Sequence, residues 1–239
     1  QQSVCDWLEA RKGVKVQQNW VEACLEWIEQ EEGGGVPMAS LREMVYGQLL
    51  HADLRDVVVQ PCIPASVPQQ QTTTITGHFI VQVDSLVDVG AAAYAQLQKI
   101  KGQSLDDVDT KKNFEPKPTR LLLLSLTDGV TDFQAMEYHP IPQLTTDLTP
   151  GAKLVLRGTI GCRLGTLLLS GDQVELLGGG VESLAGINRQ SRVLARALND
   201  ESLAGEGGTT ESGPPPTTGS SSAGPPARST GNEQLQEDN

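Results

Sequence analysis

Gly77-His78-Phe79-Ile80-Val81-Gln82-Val83 is where the chain changes its period. Phe79, Val81 and Val83 fall on one face of an extended strand, with His78, Gln82 and Asp84 opposite; Ile80 breaks the alternation. Downstream, Leu121–Leu126, Val130–Met136, Leu154–Ile160, Leu164–Leu169 and Val174–Leu177 are further short apolar runs. Turn chemistry separates them: Asp128-Gly129, Pro150-Gly151, Gly161 and Ser170-Gly171-Asp172. Five or six short strands with an irregular connection between the third and fourth predict an OB-type β-barrel. A β-sandwich is the alternative.

Two features decorate this barrel, which is expected over residues 77–199. Residues 88–119 interrupt the first two strands and are far longer than a hairpin connection requires, so they read as a functional insertion. After the last strand, Leu184, Ile187, Ser191, Leu194 and Leu198 recur at helical spacing and predict one closing helix over 181–198.

Upstream, residues 1–60 read as a small three-helix bundle. Trp20, Ala23, Cys24, Trp27 and Ile28 form one apolar stripe, with Asn19 as the expected N-cap, Glu22 as its capping-box partner and Gly33-Gly34-Gly35 as the stop. Leu41, Met44, Val45 and Leu49 form a second stripe, with Ser40 as its cap, and Val4, Trp7 and Leu8 supply a first helix. The three tryptophans are expected to share the core of the bundle. Pro61, Pro64 and Pro68 with the Gln and Thr runs read as a linker over 61–76. The fold class is thus mainly β with α: helical bundle, OB barrel with a long insertion, C-terminal helix and tail. Residues 200–239 are Pro-, Ser- and Gly-rich with seven acids against one base, and are expected to be a disordered acidic tail.

The net charge of −12 argues against several functions. Residues 1–60 carry ten acids against five bases, and 120–199 seven against seven, so no part has the basic excess of a nucleic-acid-binding surface. Weak or no direct nucleic-acid binding is the expectation. Cys5, Cys24, Cys62 and Cys162 form no C-x-x-C pair, and no apolar stretch is long enough for a bilayer, so a reduced intracellular protein without membrane contact is expected. The chain starts at Gln1, which suggests a processed chain or a fragment.

No nucleotide-binding, serine-hydrolase or zinc-protease motif is present. Gly178-Gly179-Gly180 follows a strand and precedes a helix, but lacks the lysine and hydroxyl of a phosphate site and reads as a turn. His51, His78 and His139 lie far apart without metal-ligand spacing; His51 with Asp53 reads as a solvated surface pair. Glu137 is read as an outward-facing strand residue. No catalytic, cofactor-binding or metal-ligating residue is assigned, and the chain is expected not to be an enzyme.

Several stretches carry a resemblance. They are Trp20-Val21-Glu22-Ala23-Cys24-Leu25-Glu26-Trp27-Ile28, Asp53-Leu54-Arg55-Asp56, Ser85-Leu86-Val87-Asp88-Val89, Leu126-Thr127-Asp128-Gly129, Met136-Glu137-Tyr138 and Pro140-Ile141-Pro142. Pro150-Gly151-Ala152-Lys153, Arg163 to Leu169 and Leu177-Gly178-Gly179-Gly180-Val181 complete the set. In this order they resemble the N-terminal region of the RecQ-mediated genome instability protein 1 family, from about residue 7 to about residue 198. The Tudor-domain partner of topoisomerase III beta has a similar layout but a shorter insertion. The full-length family carries a second, C-terminal OB domain, and none is expected within this stretch of sequence.

The resemblance implies a nuclear, non-catalytic scaffold without cofactors. Its implied partners are a type IA topoisomerase III and a RecQ (Bloom-type) helicase, in a complex that dissolves double Holliday junctions. The insertion is expected to reach the topoisomerase gate and favour decatenation, with Tyr94, Leu97 and Ile100 as anchors and Lys99 and Lys101 near passing DNA. The alternative is that the apolar three fold back onto the barrel. Lys153, after the Pro150-Gly151 turn, is expected to contact the topoisomerase, the alternative being a solvated strand-end lysine. Direct single-stranded DNA binding and a protein adaptor unconnected with DNA stay open.

Overall fold

Apolar spacing in the first sixty residues forms helices because each buries one stripe against its neighbours. A computed structural model describes residues 2–33, 35–102, 119–200 and 202. Helices α1 (Gln2–Lys12), α2 (Gln18–Glu32), α3 (Met38–His51) and the single turn α4 (Leu54–Val57) open the chain. Val4, Leu8, Val21, Ile28, Val45, Leu49 and Leu54 are fully buried in a common cluster. The α2 helix stops at Gly33, whose N–H donates to the Glu29 carbonyl at 3.1 Å.

Three local expectations fail here. The α2 helix starts one residue before Asn19, whose side chain accepts only from the Trp20 N–H, so Asn19 is not the N-cap. Likewise α3 starts at Met38 after Pro37, and Ser40 lies inside it. The buried edge of α2 runs through Val21, Cys24, Leu25 and Ile28, which leaves Ala23 and Trp27 outside; Trp27 is 47% exposed. Trp7 stays partly buried, edge-on to Tyr46 with ring centroids 6.4 Å apart, and the Lys12 ammonium covers the Tyr46 ring.

The described residues form a six-stranded sheet, five strands of which close into a barrel: β1 (Thr72–Asp88), β2 (Leu122–Thr127), β3 (Asp132–Glu137), β4 (Lys153–Arg163), β5 (Thr166–Leu169) and β6 (Val174–Gly178). The sheet closes in the order β1-β2-β3-β5-β4 and back to β1, with β6 added to β4. Only β3 and β5 run parallel. This is the OB barrel. Strand β1 serves two neighbours: Thr72–Gln82 pair with β4, and Gln82–Asp88 with β2 across a bulge between Val83 and Ser85. Such a bulge sharpens the bend that closure requires.

Val81, Val83, Leu124, Phe133, Leu154, Leu156, Leu167 and Leu169 belong to the barrel core. Ile80 faces the other way and, with Val155, joins the helical cluster. The break in alternation at Ile80 is therefore the mark of a sheet buried on both faces.

Residues 61–76 are not a free linker. Ile63 and Val67 are buried in the barrel core, Val67–Gln69 form a 3-10 turn, and Thr72–Thr76 are already β1. The β-branched threonine run fits the pleated ladder better than an open arm. The expected single closing helix is two, α6 (Glu182–Ile187) and α7 (Gln190–Ala197). The Arg196 guanidinium caps the break by donating to the Ile187 carbonyl and the Asn188 side chain, both at 2.9 Å. Leu194 and Ala195 are buried, whereas Ile187 is exposed. The expected tail over 200–239 and residues 103–118 of the insertion lie almost wholly outside the described residues.

Candidate partner-binding surface

The insertion is fixed at its root. The Asp88 carboxylate accepts the N–H groups of Gly90 (2.9 Å) and Leu121 (3.0 Å), tying the outgoing strand to the returning one. A Cβ at Gly90 would stand 2.1 Å from the Thr119 carbonyl oxygen, so only glycine lets the two chain segments pass this closely. The Gln96 amide then donates to the Asp88 and Ala91 carbonyls at 2.7 and 2.9 Å, anchoring helix α5 (Ala93–Ile100) on that root.

Along α5 the expected anchors separate. Leu97 is fully buried and α5 packs along α7, so Leu97 holds the helix down. Tyr94 and Ile100 are each 51% exposed, and Lys99 and Lys101 are exposed. Between α5, the segment 146–147 and the start of α7 lies an open groove of about 980 Å³, lined by Ala95, Lys99, Ile100, Asp147, Arg189 and Gln190 among others. A rigid root, a buried latch and two outward apolar side chains suit protein docking better than chemistry. Among the described residues no three His, Cys, Asp or Glu side chains converge as metal ligands would.

Lys153 opens β4 after the Pro150-Gly151 turn, as expected, but its side chain points inward. Its side chain is fully buried, and its ammonium donates to the carbonyls of Gly151 (2.6 Å) and Leu50 (3.1 Å). It is thus not a solvated strand-end lysine. Burial pushes its pKa down to about 8, and the Asp53 and Asp84 carboxylates oppose that fall only in part. Lys153 instead ties the end of α3 to the barrel. The Pro150 carbonyl accepts from the Val181 N–H at 3.0 Å, so this residue too serves an internal joint.

A polar network surrounds that joint. The buried Gln82 amide accepts from the Leu54 N–H (3.1 Å) and donates to Asp53 (3.0 Å) and Asp84 (3.1 Å). Arg55 grips Asp84 through both nitrogens and reaches Asp132 at 2.7 Å, and those bonds raise its already high pKa. Asp53 caps α4 by accepting the Arg55 N–H, so its partner is not His51. Asp128, nearly fully buried, accepts the Cys62 and Ile63 N–H groups at 2.9 Å with one oxygen and those of Val130 and Thr131 with the other. Burial and then Asp128 push the Cys62 thiol up to about 12. The Gly178-Gly179-Gly180 turn closes the joint: Gly180 donates to the Leu50 carbonyl, and a Cβ on Gly179 would lie 2.1 Å from that oxygen.

Glu137 also departs from expectation, since it is buried rather than outward-facing. It is paired with Arg120 and accepts the Ile141 and Leu122 N–H groups, fixing the loop after β3. Sequence reading passed over Gln82, Asp128 and Glu137 as functional elements of the frame. For Gln82 and Glu137 the signal was a polar residue inside a strand-like run, which in a two-faced sheet demands a partner; Asp128, in a turn, carried no such mark. On the outer wall, Tyr138, His139, Arg163 and Leu168 border a hollow of about 490 Å³, with Tyr138 62% exposed.

These features define a protein in which a helical module is locked onto an OB barrel whose β1–β2 connection carries a helix. The sequence places it further: residues 8–57 match the family model "RMI1, N-terminal helical domain" and residues 63–192 match "RMI1, N-terminal OB-fold domain". The chain belongs to the RecQ-mediated genome instability protein 1 family, in its N-terminal region. The Xenopus laevis protein of that name is 44% identical over 202 residues, covering 82% of this chain and 36% of that protein. The Gallus gallus protein is 42% identical over 202 residues, covering 81% and 32%. Tudor domain-containing protein 3 of Xenopus tropicalis is 34% identical over 126 residues, 53% of this chain and 16% of that protein. The chain thus spans about a third of the length of these vertebrate family members.

Proposed function

We propose that this chain is a non-catalytic scaffold subunit of an assembly containing a RecQ-type helicase and a type IA topoisomerase III, acting in the nucleus. In this reading the barrel and helical module form the docking body. The insertion extends toward the topoisomerase gate, contacts its open and closed states unequally, and so favours decatenation and the dissolution of double Holliday junctions. A bound segment shifts such an equilibrium only by its differential contacts with the two states. The observation that carries the reading is the insertion's pinned root with Tyr94 and Ile100 turned outward. Family membership supports it, since the relatives are named for RecQ-mediated genome instability.

The test is co-purification with a topoisomerase III of the intact chain and of a variant with residues 90–117 replaced by a short turn, followed by a decatenation assay. Both forms are expected to bind, and only the intact chain to stimulate decatenation. Equal stimulation by both would remove the gate role; failure of both to bind would remove the scaffold role. A second reading, direct binding of single-stranded DNA, draws on exposed Tyr138 beside Arg163, an aromatic and a cation of the kind that hold bases. A gel shift at physiological salt that disappears with Tyr138→Ala would favour it.

A further inference from the structure

Helix α2 presents an anomaly that the scaffold reading leaves unused. It carries Glu22, Glu26, Glu29, Glu31 and Glu32, all exposed, and not one lysine or arginine. Three of these crowd the last turn, where the helix dipole is negative and cations are the stabilising residues. Among the described residues none of the five takes part in an ion pair. Left to itself, the end of this helix is electrostatically unfavourable.

Beside that end stands Trp27, 47% exposed although its neighbours Val21 and Ile28 are fully buried. Ala23 and Glu31, one turn before and after it, are exposed as well, so the indole borders a small side chain and a carboxylate. A tryptophan brings more apolar surface and a stronger cation-binding π face than any other side chain. It is also the residue type most enriched where binding energy concentrates in interfaces. The charge on this helix states what sign its partner must have.

We propose that the outer face of α2 around Trp27 is a docking surface for a lysine- and arginine-rich segment of another protein. One cation of that segment stacks on Trp27, and others neutralise Glu31, one turn further on, and Glu26 on the adjoining flank. The acidic face repels nucleic acid, so the partner is a polypeptide. The proposal does not depend on the topoisomerase reading, because it uses neither the barrel nor the insertion.

The probe is a fluorescently labelled synthetic peptide of alternating arginine and leucine, titrated against the whole chain and followed by anisotropy at physiological salt. Trp27→Ala is expected to weaken binding about tenfold, the cost of truncating an interface anchor. The double change Glu26→Gln, Glu31→Gln is expected to weaken it by a similar factor. Glu9→Gln with Glu43→Gln removes the same charge elsewhere in the helical module and is expected to change affinity less than about twofold. Trp27 is half exposed, so its variant is expected to unfold at the wild-type urea midpoint. Equal losses from the two double variants, full affinity in Trp27→Ala, or no saturable binding to the wild type would each overturn the proposal.

Discussion

A cation with no solvent around it makes the stability of this fold depend on pH in a calculable way. Lys153 is fully buried between the Leu50 and Gly151 carbonyls, and burial brings its pKa from 10.5 down to about 8. The folded state therefore releases this proton more readily than the unfolded chain does. Below about pH 8 the group is charged in both states and the folded state carries a penalty of about 3 kcal/mol, at roughly 1.4 kcal/mol per unit. As pH rises through 8 toward 10.5 the unfolded chain holds more protons, and the penalty fades. Between about pH 7 and about pH 9.5 the recovery amounts to roughly 2 kcal/mol. Lys153→Met keeps a long flexible side chain and removes the charge. Urea unfolding of both proteins at the two pH values isolates the effect, because every other titrating group is common to both. The wild type should gain about 2 kcal/mol on the variant at the higher pH, with matching m values. A difference that stays constant to within about 0.5 kcal/mol would refute the argument that this ammonium is desolvated. The same variant bears on docking. A folded Lys153→Met protein that still co-purifies with a topoisomerase III fits an internal tie, and one that fails to do so would make Lys153 a contact after all.

The other expectations concern the frame and the insertion. Gly179→Ala forces a Cβ to within 2.1 Å of the Leu50 carbonyl at a φ of +81°, and is expected to cost at least about 2 kcal/mol in urea unfolding. Arg120→Ala strands the buried Glu137 carboxylate; with Arg120 itself partly exposed, the expected loss is about 2 kcal/mol, again by urea midpoint. Leu97→Ala is expected to cost about 3 kcal/mol as a buried truncation, while Tyr94→Ala with Ile100→Ala changes stability by less than about 0.5 kcal/mol. Under the proposed function the latter pair is the one that lowers stimulation of decatenation.

Much of the architecture was legible from local pattern. A run of alternating or continuous apolar residues marks the middle of each of the six strands, with turns such as Asp128-Gly129 and Pro150-Gly151 between them, although β1 starts earlier, in the threonine run read as linker. The order of motifs from Trp20 to Val181 pointed to the family that the comparisons then identified. Periodicity sufficed there because a strand or helix with one apolar face can bury it in only one way.

The orientation of individual side chains was another matter, because it depends on what covers the second face of an element. Trp27 shares a helical stripe with Ile28, yet α1 and α3 cover Ile28 and not Trp27. Ile80 broke an alternation that is a rule only for sheets exposed on one side, and the helical module buries its outer face. Lys153 and Glu137 read as surface charges by residue type. Only the meeting of α3 with β4, and of β3 with the loop after it, supplies the carbonyls, N–H groups and counter-charge that let them stay inside. The sequence alone therefore determined the elements and their order, since those follow from spacing along one segment. The tertiary structure decided which polar groups became internal ties and which apolar ones were left facing outward, since desolvation is set by neighbours distant in the chain.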